Sequence, residues 1–341
     1  MLGAATFSPE QLEQELRWIA NHVDGKPFGV DLLIPENFEF TSDLTGRQLA
    51  EMVPRRHIDF TQKLLERHGV SATPDELVLQ EMPTWTPAAA EALLNVAFRF
   101  PIRLLVNALG IVPPLMLELG RKHGVPIGAL VGSKQHAIRQ VEAGVDLLVA
   151  QGGEAGGHCG EVSTLVLVPE VVRAIKAVRE VPVLAAGGIV TGEQMAACMA
   201  MGAQGAWTGT VWLSTAESDL SEVLRDKIVN ADSRDTVRSK ARTGKYSRQL
   251  HTPWHDAWDG PDSPGTLPMP LMGMLSEPAL AKAVRAGEHG GADARELATY
   301  FVGQGVGLIE QPRAAGAVVQ QFKEEYICAA QVLGETLYED Y

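Results

Sequence analysis

Short hydrophobic runs alternate with longer amphipathic segments through most of the chain. Six runs predict buried strands, at residues 26–35, 102–110, 125–132, 145–153, 181–188 and 203–210. Between the later runs, apolar residues recur at i, i+3 and i+4, which predicts helices within 113–124, 133–144, 168–180 and 191–203. Strands this apolar, joined by crossover helices, belong to parallel sheets, so the pattern predicts an α/β fold.

The strand spacing favours one of two parallel-sheet architectures, and the start of the chain adds a further strand. The strands recur roughly every 20–35 residues, and no glycine-rich turn follows the first, which favours a TIM-type (β/α)8 barrel over a doubly wound sheet. Ser8, Pro9 and Gln11 predict a capped helix start, so residues 1–5 are interpreted as the end of a seventh strand.

Seven strands cannot close an eight-stranded barrel. We therefore expect that the barrel lacks its first β/α unit, which would comprise about 30 to 40 residues preceding Met1. Met1 would then open the second strand, with the first strand's position vacant or filled by another chain. A chain extended upstream would bind its cofactor more tightly and melt at a higher temperature.

Two regions interrupt the alternation of strands and helices. Residues 36–100 carry helical patterns and are interpreted as an insertion on the face where barrel loops build sites. The predicted division is a barrel over 1–214 with this insertion, a smaller helical substrate or lid region over 215–302, and a C-terminal helical segment over 303–341 that returns to the barrel.

The middle of the lid region concentrates residues that linkers seldom contain. These are Trp254, Trp258, Met269, Met272 and Met274. Their clustering favours a segment that faces the substrate. The alternative is a loop packed on the flank of the barrel.

Composition and charge exclude several classes of protein. Lys and Arg number 29 against 42 Asp and Glu, giving a net charge of −13, which argues against nucleic acid or an anionic membrane as the main partner. Cys159, Cys198 and Cys328 have no paired or metal-ligand spacing, so a cytoplasmic setting is expected. No basic leader and no apolar run of about 18 residues is found. A soluble protein with a small-molecule substrate is expected, and a homodimer is left open.

Glycines mark the ends of three predicted strands. The stretch "VAQGGEAGGHCGE" (149–161) follows one strand, Gly187 and Gly188 end the next, and Gly209 precedes Thr210 at the end of the last. Because the carboxyl ends of barrel strands meet at one rim, the latter two ends predict a nest of backbone N–H groups that binds phosphate. The sequence thus predicts a phosphorylated cofactor or substrate.

One histidine lies within the first glycine stretch. His158 is the candidate catalytic residue because its ordinary pKa near 6.5 suits proton transfer at neutral pH, although a hydrogen bond to the backbone is the alternative. Glu154 orients or caps the loop. His251 and His255 lack a third ligand, so no metal site is expected.

These glycine motifs, "GGEAGGHCG" with "AAGGI" and "TGT", closely resemble the nitronate monooxygenase family, whose relatives include flavin-dependent enoyl-ACP reductases. The resemblance covers most of 1–213 and, more weakly, 303–322. It implies an FMN-binding barrel with His158 near the flavin as base or polarising group. The FMN contacts that it implies are Gln151, Gly152, Gly157, Gly187, Gly188, Gly209 and Thr210.

The chain departs from the family pattern at two strand positions. Asp31 stands where family members commonly have asparagine, and Leu130 stands where several relatives place a lysine, Lys134 coming four residues later. The resemblance implies an FMN-dependent monooxygenase that oxidises alkyl nitronates. The alternatives are an NAD(P)H-dependent reductase of a quinone or an enoyl or acyl thioester, and a non-catalytic barrel that has lost its flavin.

Overall fold

The structure is a computed structural model. It describes residues 1–5, 7–34, 44–80 and 87–336. The strands within these ranges are β1 (Leu2–Gly3), β2 (Val30–Leu32), β3 (Leu105–Asn107), β4 (Ile127–Val131), β5 (Leu147–Gln151), β6 (Gly157–His158), β7 (Val183–Ala186), β8 (Gly205–Trp207), β9 (Thr236–Ser239) and β10 (Ser247–Leu250).

The helices alternate with these strands and continue beyond them. They are α1 (Pro9–His22), α2 (Gly46–Glu51), α3 (Arg55–Arg67), α4 (Pro87–Ala97), α5 (Pro114–His123), α6 (Lys134–Ala143), α7 (Thr164–Ile175), α8 (Gly192–Ala200), α9 (Thr210–Leu213), α10 (Glu222–Val229), α11 (Pro253–Asp259), α12 (Leu271–Glu288), α13 (Ala292–Leu297) and α14 (Ala315–Glu335).

Seven strands form one curled parallel sheet in the order β1-β2-β3-β4-β5-β7-β8. These are the seven strands that the hydrophobic runs and the start of the chain predict, so the α/β fold with an incomplete TIM-type barrel is confirmed. In the described residues β1 and β8 are the two edges of the sheet. An edge cavity of about 560 Å³ lies there, lined by residues that include Met1, Gly3, Trp207 and Trp212.

The first helix begins where the capping residues predict. The Ser8 side chain accepts from the backbone N–H of Gln11 at 3.2 Å, and the Gln11 side chain accepts from that of Ser8 at 2.9 Å. Later helices end at glycines in the left-handed region, such as Gly124 and Gly144, with φ of 67° and 109°. Each of these glycines turns the chain directly into the next barrel strand.

The main core fills the barrel and the space beneath its helices. Leu105, Ile127 and Leu148 from the strands pack there with Leu94 of α4 and Leu167 of α7. Within the described residues, no helix is long and apolar enough to cross a membrane.

A second core belongs to the helical region. Leu64 and Leu65 of α3 pack there against α12, together with Trp254, Trp258 and other residues from 241–297. The predicted insertion 36–100 is therefore divided by packing, because α2 and α3 join this second core whereas α4 joins the barrel core. Residues 35–43 and 81–86 lie outside the described residues. The division of the chain into domains stays a prediction.

The prediction that the Trp and Met cluster faces the substrate is wrong for its buried members. Trp254, Met272 and Met274 are fully buried and Trp258 is nearly so. The Trp254 indole donates to the carbonyl of Ala241 at 2.9 Å. Large, adaptable side chains fill the centre of the helical unit, so their concentration marks a core instead of a lid surface.

The C-terminal segment is helical, as the sequence predicts. Helix α14 packs against α8 beside the barrel. Its Glu325 side chain accepts from the backbone N–H of Gly192, the first residue of α8, at 2.7 Å. Residues 337–341 of the predicted segment lie outside the described residues.

Candidate active site

The carboxyl ends of the barrel strands enclose a cavity of about 270 Å³, called here the rim cavity. Five residues predicted to contact the cofactor line it: Gln151, Gly187, Gly188, Gly209 and Thr210. They come from the ends of β5, β7 and β8, which are adjacent in the sheet. The structure therefore brings together the two glycine-rich strand ends that sequence analysis placed in one phosphate-binding nest.

The glycines of this rim differ in what surrounds them. Gly187 and Gly188 have φ of 113° and 70°, in the left-handed region where a side chain is strained. A Cβ at Gly188 would lie 3.1 Å from the Glu154 Cβ. A Cβ at Gly209 would meet nothing within 4 Å. A side chain added at Gly209 would therefore extend into open space, whereas one added at Gly188 would meet Glu154.

Thr210 has a structural role as well as a place in the cavity wall. Its hydroxyl accepts from the backbone N–H of Gly303 at 2.9 Å. A Cβ at Gly305 would come 2.5 Å from the carbonyl oxygen of Gly188, so the chain after Gly303 lies directly against the end of β7. The start of the C-terminal segment thereby packs against Thr210 and Gly188, which are both in the cavity wall.

The glycine stretch after β5 packs by backbone contact, and only part of it lines the cavity. Gly156 is a lining residue, whereas Gly152, Gly157 and His158 are not. A Cβ at Gly152 would lie 2.4 Å from the backbone nitrogen of Thr164. Gly152 thus permits the close approach of α7, and its contact with FMN stays a prediction.

Glu154 caps helix α7. Its carboxylate accepts from the Thr164 backbone N–H at 2.9 Å and from the Thr164 hydroxyl at 2.9 Å. A carboxylate at the N-terminus of a helix is stabilised by the helix dipole and by the free N–H groups of the first turn. Glu154 was expected to orient or cap the loop; the structure shows it capping α7, which ties the glycine stretch to that helix.

His158 lies on the short strand β6, two residues after Gly156. It pairs with Ser247 of β10 in a second, antiparallel sheet of order β6-β10-β9. Its Nε2 lies 2.8 Å from the hydroxyl oxygen of Thr243. Burial, together with the nearby Lys245 ammonium, lowers the pKa of His158 to about 4. The imidazole is therefore neutral at pH 7.

Asp31 is a wall residue whose role the sequence does not reveal. It lines both the rim cavity and the edge cavity, and its Oδ1 is buried without a hydrogen-bond partner. Burial raises its pKa from 3.8 to about 7, although the amino group of Met1 favours the charged form. An acidic residue within an apolar strand is the signal that could have identified it.

Trp207, Phe301 and Thr243 are further residues of the site, and the sequence does not mark them. Trp207 and Phe301 line the rim cavity, and Leu130 does so at the position where relatives carry lysine. Lys134 instead forms an ion pair with Glu170 at 3.4 Å. Phe301 and Thr243 are distant from the barrel motifs in sequence, and no local pattern marks them.

The two histidines at 251 and 255 have other partners. His251 Nε2 lies 2.8 Å from the Asp256 carboxylate, and His255 Nδ1 lies 3.2 Å from the Thr252 hydroxyl. Across the described ranges, no group of three or more His, Cys, Asp or Glu side chains could hold a metal ion.

Comparisons with known proteins agree with the motif resemblance. The family model for nitronate monooxygenase matches residues 1–325. The chain is 48% identical over 332 residues to the Mycobacterium tuberculosis protein named monooxygenase Rv1533, covering 96% of this chain and 88% of that one. It is 30% identical over 264 residues to a Staphylococcus aureus protein named as a nitronate monooxygenase, covering 73% of this chain and 67% of that one.

Two solved structures share the fold. Nitroalkane oxidase from Streptomyces ansochromogenes superposes with a TM-score of 0.78 at 24% identity, covering 97% of this chain and 89% of that one. FabK from Thermotoga maritima superposes with a TM-score of 0.68 at 25% identity, covering 98% of this chain and 86% of that one.

Asp31 should make stability depend on pH. Its pKa is higher in the folded than in the unfolded chain, so the folded state binds the extra proton, and stability falls as pH rises from about 4 through about 7. Asp31→Asn removes this dependence. The free energy of unfolding of Asp31→Asn should be about 1 to 3 kcal/mol higher than that of the unchanged protein at pH 8. Near pH 4 the two free energies should be nearly equal.

Urea denaturation of both proteins between about pH 4 and pH 8 measures this difference. The exposed Asp262, replaced by Asn, is the matched control. A stability difference for Asp31→Asn that does not change with pH would contradict the assignment of a neutral carboxyl.

Proposed function

We propose that this chain, which belongs to the nitronate monooxygenase family, is an FMN-dependent oxidoreductase that oxidises alkyl nitronates with molecular oxygen. The observation that carries the proposal is the convergence of Gln151, Gly187, Gly188, Gly209 and Thr210 on the rim cavity. The glycine motifs and the family resemblance point to these positions, which belong to three separate strand ends between residues 151 and 210. Their meeting at one cavity supports a common ligand.

The residues around the cavity fit a phosphate-bearing group. The open space beside Gly209 lies at the end of β8, next to the left-handed turn of Gly187 and Gly188. Backbone in such turns offers N–H groups to anions without the obstruction of a side chain. The unpartnered Oδ1 of Asp31 is a polar atom in the same wall that lacks a hydrogen bond and that a ligand could satisfy.

FMN, when bound, would accept electrons from the nitronate and pass them to oxygen. The chain supplies position and surroundings. Gly187, Gly188, Gly209 and Thr210 would hold the phosphate, and Gln151 would lie against the ring system. Leu130, Trp207 and Phe301 give the wall apolar surface that excludes water.

His158 would act on the substrate from the adjoining strand β6. Because its imidazole is neutral at pH 7, it can donate a hydrogen bond from one ring nitrogen and accept a proton at the other. A neutral ring also adds no positive charge that would hold an anionic substrate or product in place. These properties suit a general base or a polarising group.

The three cysteines are free thiols, in keeping with the proposed cytoplasmic setting.

The deciding experiment uses the purified protein without added reductant. We expect flavin absorbance in the isolated protein, anaerobic reduction of that flavin by ethylnitronate, and oxygen consumption when air is admitted. Reduction by NADH but not by ethylnitronate would instead assign the NAD(P)H-dependent reductase reaction. Failure to bind FMN at all would favour the remaining alternative, a non-catalytic barrel that has lost its flavin.

Replacing His158 by Asn should separate catalysis from cofactor binding. We expect FMN affinity to stay within about threefold and turnover of ethylnitronate to fall roughly 10²- to 10⁴-fold, the usual weight of a general base. Steady-state oxygen uptake measures the turnover, and flavin fluorescence measures the affinity. Unchanged turnover would reduce His158 to a structural role.

Gly209→Val should specifically disturb the phosphate. The branched side chain would extend into the open space beside β8, and Gly209 has φ of −126°, outside the left-handed region. We expect the Kd for FMN to rise at least about tenfold. The Kd for riboflavin, which lacks the phosphate, should change little.

Gly316→Val is the matched control, because a Cβ there also meets nothing within 4 Å and the residue lies in α14. Equal weakening of FMN and riboflavin by Gly209→Val would contradict a phosphate at this strand end.

A further inference from the structure

The turn between β9 and β10 makes a direct contact with the candidate catalytic histidine. Thr243 lies in this turn, 85 residues from His158 in sequence, and its hydroxyl oxygen lies 2.8 Å from His158 Nε2. The turn belongs to the helical region, whereas His158 extends from the barrel. The two parts of the site meet at this hydrogen bond.

The other contacts of Thr243 decide the direction of the bond. The hydroxyl donates to the carbonyl oxygen of Lys245 at 3.0 Å. A carbonyl oxygen can only accept, and a threonine hydroxyl has one hydrogen to give. With that hydrogen engaged, the Thr243 oxygen can only accept from His158. The backbone N–H of Lys245, at 3.3 Å from the same oxygen, is consistent with an oxygen that receives donors.

We infer that Thr243 is a positioning residue that holds His158 in its Nε2–H form and leaves Nδ1 as the atom that accepts a proton. Within the part of the chain that the structure describes, Nδ1 of His158 has no hydrogen-bond partner, and it is not among the buried atoms left unsatisfied. It is therefore the ring nitrogen available to a ligand. This inference deepens the proposed function and rests on it for the role of His158 in turnover.

The surroundings of Thr243 keep the turn in place. The neighbouring Arg242 is buried and forms two hydrogen bonds with the Glu277 carboxylate, at 2.7 and 2.9 Å. Gly244 has φ of 82°, and a Cβ there would lie 2.4 Å from the carbonyl oxygen of Leu267. A turn fixed on both sides of Thr243 presents its hydroxyl to His158 in one orientation.

The same hairpin holds the glycine stretch that carries His158. The Arg248 guanidinium donates to the carbonyl oxygen of Gly153 at 2.9 and 2.8 Å. Arg238 pairs with Glu161 at 3.1 Å. The β9–β10 hairpin thus contacts His158 twice, because β10 pairs with its backbone and Thr243 contacts its ring.

The first test reads the tautomer directly. Protein with ¹⁵N-labelled histidine, loaded with FMN at pH 7, gives a ring spectrum in which His158 is assigned by its loss in His158→Asn. We expect Nε2 to carry the proton and Nδ1 to be unprotonated. The reverse assignment, with the proton on Nδ1, would overturn the inference whatever the activity.

The second test removes the hydroxyl. In Thr243→Val, the ¹⁵N signals of His158 should shift toward a mixture of tautomers, and kcat/KM for ethylnitronate should fall roughly tenfold, the weight of one hydrogen bond. Thr243→Ser should restore both. FMN affinity should stay within about threefold in each. A valine variant with unchanged signals and turnover, or a serine variant as impaired as valine, would overturn the inference.

Thr61→Val is the matched control. It removes a buried hydroxyl, which donates to the carbonyl of His57 at 2.9 Å in the second core, away from His158. An equal loss of turnover in this variant would assign the effect of Thr243→Val to stability and overturn the inference. If His158→Asn leaves turnover unchanged while the ¹⁵N spectrum shows the Nε2–H form, the proposed role of His158 fails and the tautomer assignment stands.

Discussion

The candidate site depends on backbone segments that approach too closely for side chains. A Cβ at Gly152 would lie 2.4 Å from the nitrogen of Thr164, and one at Gly305 would lie 2.5 Å from the oxygen of Gly188. Only glycine permits these contacts. Through them, the loop after β5, the start of α7, the end of β7 and the C-terminal segment pack together beside the rim cavity, whose wall includes Gly188. The clustered glycines in the sequence are therefore a packing requirement as well as the proposed phosphate nest.

The helical unit contributes to the site by holding it, not by presenting its apolar residues. Trp254 and Met272 are buried in its own core, while its β9–β10 hairpin contacts the glycine stretch through Arg248 and Thr243. The buried Arg242 links the hairpin to α12 through Glu277. Leaving a buried guanidinium without its partner would cost free energy of folding. The ion pair therefore also holds the β9–β10 turn in position against α12. The contacts that would orient His158 thus come from a unit whose core is separate from the barrel core.

Local sequence patterns were sufficient for the barrel and insufficient for the contacts across it. Six strands were predictable because each is a short apolar run, and the first because a capped helix start follows it. Parallel topology then placed Gly187 and Gly209 at the same rim. The role of Trp254 was mistaken because composition cannot distinguish a second core from a lid. Thr243 and Phe301 were not found because their importance arises from pairing with residues far away in the chain. Asp31 was noticed as a departure, but only burial shows why its charge matters.

Asp31 and His158 lie in different surroundings, yet burial shifts both toward the neutral form. It raises the pKa of Asp31 to about 7 and lowers that of His158 to about 4, so that near and somewhat below neutral pH neither side chain carries a full charge. A neutral Asp31 in the cavity wall would leave the backbone N–H groups and the phosphate of the proposed ligand as the main electrostatic partners at the rim. Above about pH 7 the Asp31 carboxylate would face the same cavity as an anion, and it would oppose any other negative charge placed there. The asparagine commonly found in relatives at this position cannot ionise. This chain therefore carries a dependence on pH, built into the wall of its candidate cofactor site, that an amide at position 31 would not give it.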